Sequence, residues 1–259
     1  MIDLPILFED DYLLVINKPP GIVVNRAESV QGDTVQDWAE SYLSFPQRQE
    51  SKEKSASGSF ASEAGVSTEE DFYNRAGIVH RIDKETSGCL LIAKNLPVFI
   101  ELQRQFKERI IKKTYLAFAH GAVVPPEGEI RAPVGRLPWN RERFGIVPGG
   151  KESVTRYSVK KTWKIHEGKQ HEDISLVELY PETGRTHQIR VHLKYINHPI
   201  IGDWQYAGRK TSRSDRLWAP RVMLHAYRIV LVHPVSHQEL AIEAPIPDDM
   251  SRIINNSTP

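Results

Sequence analysis

With 259 residues, 40% of them hydrophobic and 26% charged, the chain can bury a sizeable core and is too apolar for a disordered polypeptide. Its single cysteine, Cys89, excludes an internal disulfide framework and an all-cysteine zinc site. The acidic start MIDLPILFEDDYLLVINKPPG is unlike a basic secretory leader, and no apolar run approaches the roughly 20 residues that cross a bilayer, so a cytoplasmic protein without a membrane partner is expected.

The net charge of +1 conceals a polarity, because residues 1–70 hold 5 Lys or Arg against 13 Asp or Glu, whereas 71–259 hold 29 against 20. A basic body of that kind suits a polyanionic partner.

The first elements are short. Residues 12–16 read as a strand, Lys18, Pro19, Pro20 and Gly21 break it, and 22–24 resume it as a hairpin. Asp33 or Thr34 can cap a helix whose apolar residues Val35, Trp38, Ala39, Tyr42 and Leu43 recur at helical spacing. Residues 46–72 contain six Ser and five Glu with few large apolar side chains, and read as a flexible insertion within a single domain spanning 1–259.

GIVHRIDKETSG, at 77–88, places Asp83 between Arg81 and Lys84 in a loop that leads into the apolar run 89–93. Cations nearby favour the charged form of an acid, and a lone ionised carboxylate on a loop is a candidate nucleophile; a turn closed by Asp and Thr side chains is the plainer alternative. Asn95 and Pro97 then signal a helix with a stripe of Phe99, Leu102, Phe106 and Ile110, followed by a strand at 115–119. That is strand, helix and strand, with the relative direction of the two strands left open. Further strands are expected at 153–160, 174–179, 227–233 and 239–244. Strands outnumber helices, which predicts an α+β fold with a mixed, largely antiparallel central sheet and flanking helices.

Basic residues cluster at 104–113, at Arg136, Arg141 and Arg143, at 160–164 and at 209–216, two of the clusters beside Trp139 or Trp218, as a phosphate-tracking surface with stacking platforms requires. In TGRTHQIRVHLKYINHP, at 183–199, Thr186 can cap a helix with Ile189, Leu193 and Ile196 on one face and Arg190 at its border. A guanidinium there either snorkels to solvent or meets a carboxylate or phosphate. His187 and His192, five positions apart on a helix, would point about 140° from each other and could not share a metal ion.

HRIDKETSG, then TGRTHQIRVHL followed by HPIIGD, resemble the RluA family of pseudouridine synthases, which isomerise uridine in RNA. LFEDDYLLVINKPPGIVV, KKTYLAFAHG and LHAYRIVLVHPVSHQELAIEAPIP resemble that family's opening hairpin, tyrosine strand and closing strands, so the likeness covers nearly the whole chain. Asn25 departs from the pattern, standing where many relatives have His, and the S4-like RNA-binding module that many carry ahead of this hairpin is not expected here, so RNA affinity is expected from the basic surfaces of the catalytic domain.

The resemblance implies the pseudouridine synthase fold with its catalytic cleft, and an RNA substrate, ribosomal or transfer. Asp83 would be the essential acid, Tyr115 the residue against the uracil ring and Arg190 the partner of the acid. Arg81 would enter the helix as the base leaves; Lys113, Arg141, Arg143, Arg185 and His187 would contact RNA; Ile82, Leu90 and Leu224 would wall the pocket. The reaction gains and loses no atoms, so no cofactor or metal is expected, nor an obligate protein partner, and a monomer is the default. Two rivals remain at this point. A glycosidase or nucleosidase would need a second carboxylate, for which Glu85 is the nearest in sequence; a non-catalytic RNA-binding protein would have no use for Asp83.

Overall fold

The computed structural model describes residues 2–28, 30–45, 69–167 and 170–255. Its strands are β1 Ile6–Glu9, β2 Leu13–Lys18, β3 Ser87–Ala93, β4 Lys112–His120, β5 Glu127–Arg131, β6 Val134–Leu137, β7 Asn140–Ile146, β8 Val154–Glu167, β9 Gln170–Pro181, β10 Leu224–Val232 and β11 Glu239–Glu243. The helices are α1 Val35–Tyr42, α2 Glu69–Asn74, α3 Leu96–Lys107, α4 Gln188–Tyr195, α5 Arg209–Asp215 and α6 Asp248–Asn255. The main sheet has nine strands in the order β1-β2-β3-β10-β4-β9-β8-β5 with β11 on β10, and β6 and β7 form a separate hairpin. Its one parallel pairing is β3 with β10, so the expected α+β, largely antiparallel architecture is what forms.

The strand-helix-strand run at 87–120 is not a parallel crossover. β10 lies between β3 and β4, parallel to the first and antiparallel to the second. β3 is buried along its whole length because both faces are covered. Cys89, Leu91 and Ala93 pack with Phe99 and Leu102 of α3, while Leu90 and Ile92 pack with Val35 and Trp38 of α1 and with Ile78 and Ile82 of the loop before β3. Each fully buried leucine or isoleucine contributes about 1.5–3 kcal/mol. A third cluster joins β4, β8 and β9 to Ile189 and Leu193 of α4 and to Met250 and Ile253 of α6.

Thr34 is the N-cap of α1 in a capping box with Asp37, and Asn95 is the N-cap of α3. Residues 22–24 do not resume a strand, and the opening hairpin is β1 with β2. The carbonyls of Val23 and Val24 instead accept the amides of Val35 and Gln36, which the first turn of α1 leaves without helical partners. Ile110 falls outside the α3 stripe, since that helix ends at Lys107 and Arg109 has a left-handed backbone, φ 60°. Of the predicted insertion, 46–68 lie outside the described residues, and 69–72 belong to α2, whose Phe72 is buried against Phe99 and Phe45. Among the described residues no helix is long and apolar enough to cross a membrane.

Candidate active site

The loop after α2 runs along the sheet and presents Asp83 at the floor of a cavity of about 580 Å³. α4 supplies the opposite wall. Its N-cap is His187 with a left-handed backbone, φ 55°, and not the exposed Thr186. Gln188 closes the turn instead, its Oε1 accepting from the Thr183 hydroxyl at 2.7 Å and from the Arg185 amide at 3.1 Å. The bend at His187 aims that imidazole at the cavity and separates it from His192, which turns to Thr155 and the Ala132 carbonyl.

Arg190 does not snorkel. It is buried, and its Nη1 donates to Asp83 Oδ2 at 3.0 Å. Nε and Nη2 form a fork on Asp203 at 2.7 and 2.9 Å, and Nη2 also reaches Gln205 at 3.1 Å. Asp203 is fully buried and accepts the backbone amides of Gln205 and Tyr206. The guanidinium lies over the Tyr206 ring, 4.9 Å from its centroid. Although burial works against the charged form, the two carboxylates hold the Arg190 guanidinium more firmly protonated than usual.

Asp83 is thus cross-braced through Arg190 to an acid that solvent does not reach, the bond falling on its Oδ2. His187 Nε2 stands 3.8 Å from the same Asp83 oxygen, and its Nδ1 is 2.8 Å from the Tyr206 hydroxyl. Burial, against the pull of Asp83, lowers the His187 pKa and favours the neutral ring. Tyr115, on β4, packs against two of the core clusters and lines the cavity. Burial first, and the negative charge of Asp83 second, raise its pKa well above the ordinary phenol value, so its hydroxyl keeps its proton at neutral pH.

Lys113 lies 6.0 Å from the Phe106 ring centroid, and burial pulls its pKa down to about 8. Ile82 and Leu224 line the cavity, as do Arg81 and Arg185; Leu90 lies in the core beneath. Arg141 and Arg143 stand apart, on β7 beside α4 and outside the cavity lining. Of the two expected platforms, Trp218 is partly buried against the core, whereas Trp139 is 79% exposed.

Glu85 does not join Asp83 as a second acid. Its carboxylate takes the Arg216 guanidinium at 2.7 Å and the Val222 amide at 3.0 Å. Several predicted cations are likewise occupied, Arg104 by Glu101 and Glu108, and Lys160 by Glu178. Sequence reasoning missed Lys18, fully buried, whose Nζ donates to the carbonyls of Pro19, Ile22 and Lys84 and so ties the opening hairpin to the Asp83 loop. It also assigned no role to Asp203, although HPIIGD contains it.

Among the described residues, one cluster has the composition of a metal site, His120 with Glu172 and Asp215. The imidazole spends Nδ1 on Glu172 at 3.0 Å and Nε2 on Asp215 at 3.1 Å, opposite edges of one ring that cannot face one ion. Despite its burial, those two acids push its pKa up to about 9, so the three residues form a charged clamp.

The family model described as RNA pseudouridylate synthase matches residues 12–195. Over 97% of its length the chain is 38% identical to "Ribosomal large subunit pseudouridine synthase D" of Neisseria meningitidis, spanning 60% of that relative. It is 35% identical over 98% of its length to "Uncharacterized RNA pseudouridine synthase YlyB" of Bacillus subtilis, spanning 73% of it. A solved structure named "Human RNA Pseudouridylate Synthase Domain Containing 1" shares the fold at a TM-score of 0.66 and 24% identity, covering 99% of this chain and 96% of that one. A family match that runs through the Asp83 loop, Tyr115 and Arg190 alike, with relatives this similar along nearly the whole chain, makes it a member of the RNA pseudouridylate synthase family.

Proposed function

We propose that the chain isomerises uridine to pseudouridine in RNA, with Asp83 as the catalytic carboxylate. The observation that carries this is the Asp83–Arg190–Asp203 line at the floor of a cavity roomy enough for one nucleoside. Asp83 engages C1′ as the N1–C1′ bond breaks and the bonding electron pair leaves with the base. Uracil, turned about, returns through C5; the C5 proton leaves, N1 takes one up, and Asp83 is freed unchanged.

Arg190 holds and aims Asp83 through the bond from its Nη1. Tyr115, its phenol protonated, orients the loose ring, and Ile82 with Leu224 keeps water from competing for C1′. The target uridine must first leave its stack, at a cost of a few kcal/mol. Contacts from Arg81, Lys113 and Arg185 at the cavity, and from Arg141, Arg143 and Trp139 on the hairpin beside it, offset that cost.

The name of the Neisseria relative favours large-subunit ribosomal RNA as the substrate. A monomer acting in the cytoplasm completes the reading. The test is a ribosomal RNA transcript labelled with tritium at uridine C5. Wild type releases tritium, and the unlabelled transcript treated in parallel keeps its mass and contains pseudouridine. Asp83→Asn releases none while its RNA dissociation constant stays within about threefold. Free uracil among the products, or isomerisation by Asp83→Asn, overturns the reading.

A further inference from the structure

Beyond the groups that face the cavity, the end of α5 touches both halves of the site without lining it. Asp215 is fully buried, and its Oδ2 accepts the Gly202 amide at 3.0 Å beside the His120 imidazole. Arg216, the next residue, donates from Nε to the Gly202 carbonyl at 3.1 Å and from Nη2 to Glu85 at 2.7 Å. Gly202 is therefore held from both sides by consecutive residues, the last of α5 and its C-cap.

Its backbone has φ +76°, and a Cβ there would come within 1.9 Å of the Arg221 carbonyl oxygen, so the turn packs directly on that stretch of backbone with room for no side chain. The carbonyl that Arg216 holds belongs to the peptide that begins Asp203, the acid under Arg190. The carboxylate that Arg216 holds lies two residues beyond Asp83, in a loop that Arg221 pins again through the Glu85 carbonyl at 3.1 Å. One planar guanidinium, with donors in a fixed fork, thus spans the same gap that the Arg190 to Asp83 bond spans from above.

We propose that Arg216 is a positioning residue for the isomerisation, setting the separation between the Asp83 loop and the Asp203 turn so that Arg190 meets Asp83 at bonding distance. This rests on the reaction assigned above. A lysine cannot replace it, because a single ammonium cannot span both anchors in the geometry of the fork. Arg216 acts on the aim of the nucleophile, which belongs to the chemical step, and leaves RNA docking to the cavity rim.

The experiment compares wild type, Arg216→Ala and Glu85→Gln on the tritiated ribosomal transcript, with thermal melting recorded for each. Glu85→Gln is the gentler variant, since its amide oxygen still accepts the Val222 amide. Arg216→Ala is expected to lower kcat on the order of 30-fold with KM within about twofold of wild type, and free guanidinium at millimolar concentration to restore part of the loss where ethylammonium does not. Glu85→Gln is expected to lower kcat about threefold with its melting temperature unchanged. A purely structural Arg216 would lower the melting temperature and the active fraction, with neither the kcat-only effect nor the guanidinium rescue. Unchanged kcat in both variants, or a loss confined to KM, overturns the inference. A wild type that forms no pseudouridine overturns the reaction itself.

Discussion

Arg190 sits between two carboxylates of unequal freedom. Asp203 is sealed, forked onto Nε and Nη2 and braced by two backbone amides, whereas Asp83 is 24% exposed and takes a single bond from Nη1. The inner pair fixes the guanidinium so that the outer bond is directional; in the proposed reaction Asp83 would leave it as charge develops at C1′ without the arginine losing its place. Removing one member of a buried pair typically costs 3–5 kcal/mol, because the partner stays behind without compensation. Arg190→Lys should therefore harm more than its conserved charge suggests, since an ammonium can hold Asp203 or reach Asp83 but cannot fork. Single-turnover tritium release should fall about 100-fold or more, while filter binding shows the RNA dissociation constant within about threefold. Turnover within fivefold of wild type would remove the arginine from the chemistry.

Among the elements, what could be read ahead was whatever chemistry is local in sequence. Thr34, one of two candidates, and Asn95 cap the helices expected there, and the unbroken apolar run at 89–93 announced a buried strand. Asp83 and Arg190 stood out because each sits inside a dense run of polar residues beside an apolar stretch. The partner of Arg190 was hidden, since Asp203 lies 13 residues on and returns only through the turn at 200–203. Lys18 was hidden for a similar reason: a lysine after an apolar strand looks like its solvated end, and its carbonyl partners belong to loops that tertiary structure assembles. The strand order was beyond reach too, because the insertion of β10 between β3 and β4 joins residues more than a hundred positions apart.

That insertion has a steric signature at Gly88. Its φ is +108°, and a Cβ would lie 2.2 Å from the Ala226 carbonyl, at the parallel contact of β3 with β10. Gly88→Ala should cost on the order of 3 kcal/mol, from backbone strain and separation of the strands, read as a lower urea midpoint. An unchanged midpoint would mean that the pairing yields without loss.

Over the whole molecule, the charge polarity of the sequence becomes an arrangement around one opening. Three acids in the first part of the chain are engaged by cations, Asp37 and Glu40 by Arg26 and Glu9 by Lys94. Arg75, Arg81, Lys107, Arg109, Lys113 and Arg185 instead gather around the cavity that holds Asp83. A rim in which cations outnumber the Asp83 and Glu182 carboxylates would draw a polyanion toward the proposed catalytic acid, and each phosphate neutralised releases counterions. With about four to six phosphates engaged as single strand, the logarithm of RNA affinity should fall against that of salt concentration with a slope of about −3 to −4. The α3 end supplies two of these cations, so Lys107→Gln combined with Arg109→Gln should flatten the slope by about 1.4 units and weaken every RNA tested by a similar factor, with kcat at saturating RNA unchanged. Titration of affinity between 50 and 300 mM salt measures it. An unaltered slope in the double variant would move the phosphate path off this wall and onto the β6-β7 hairpin with Arg141 and Arg143, where the same substitutions would then produce the loss.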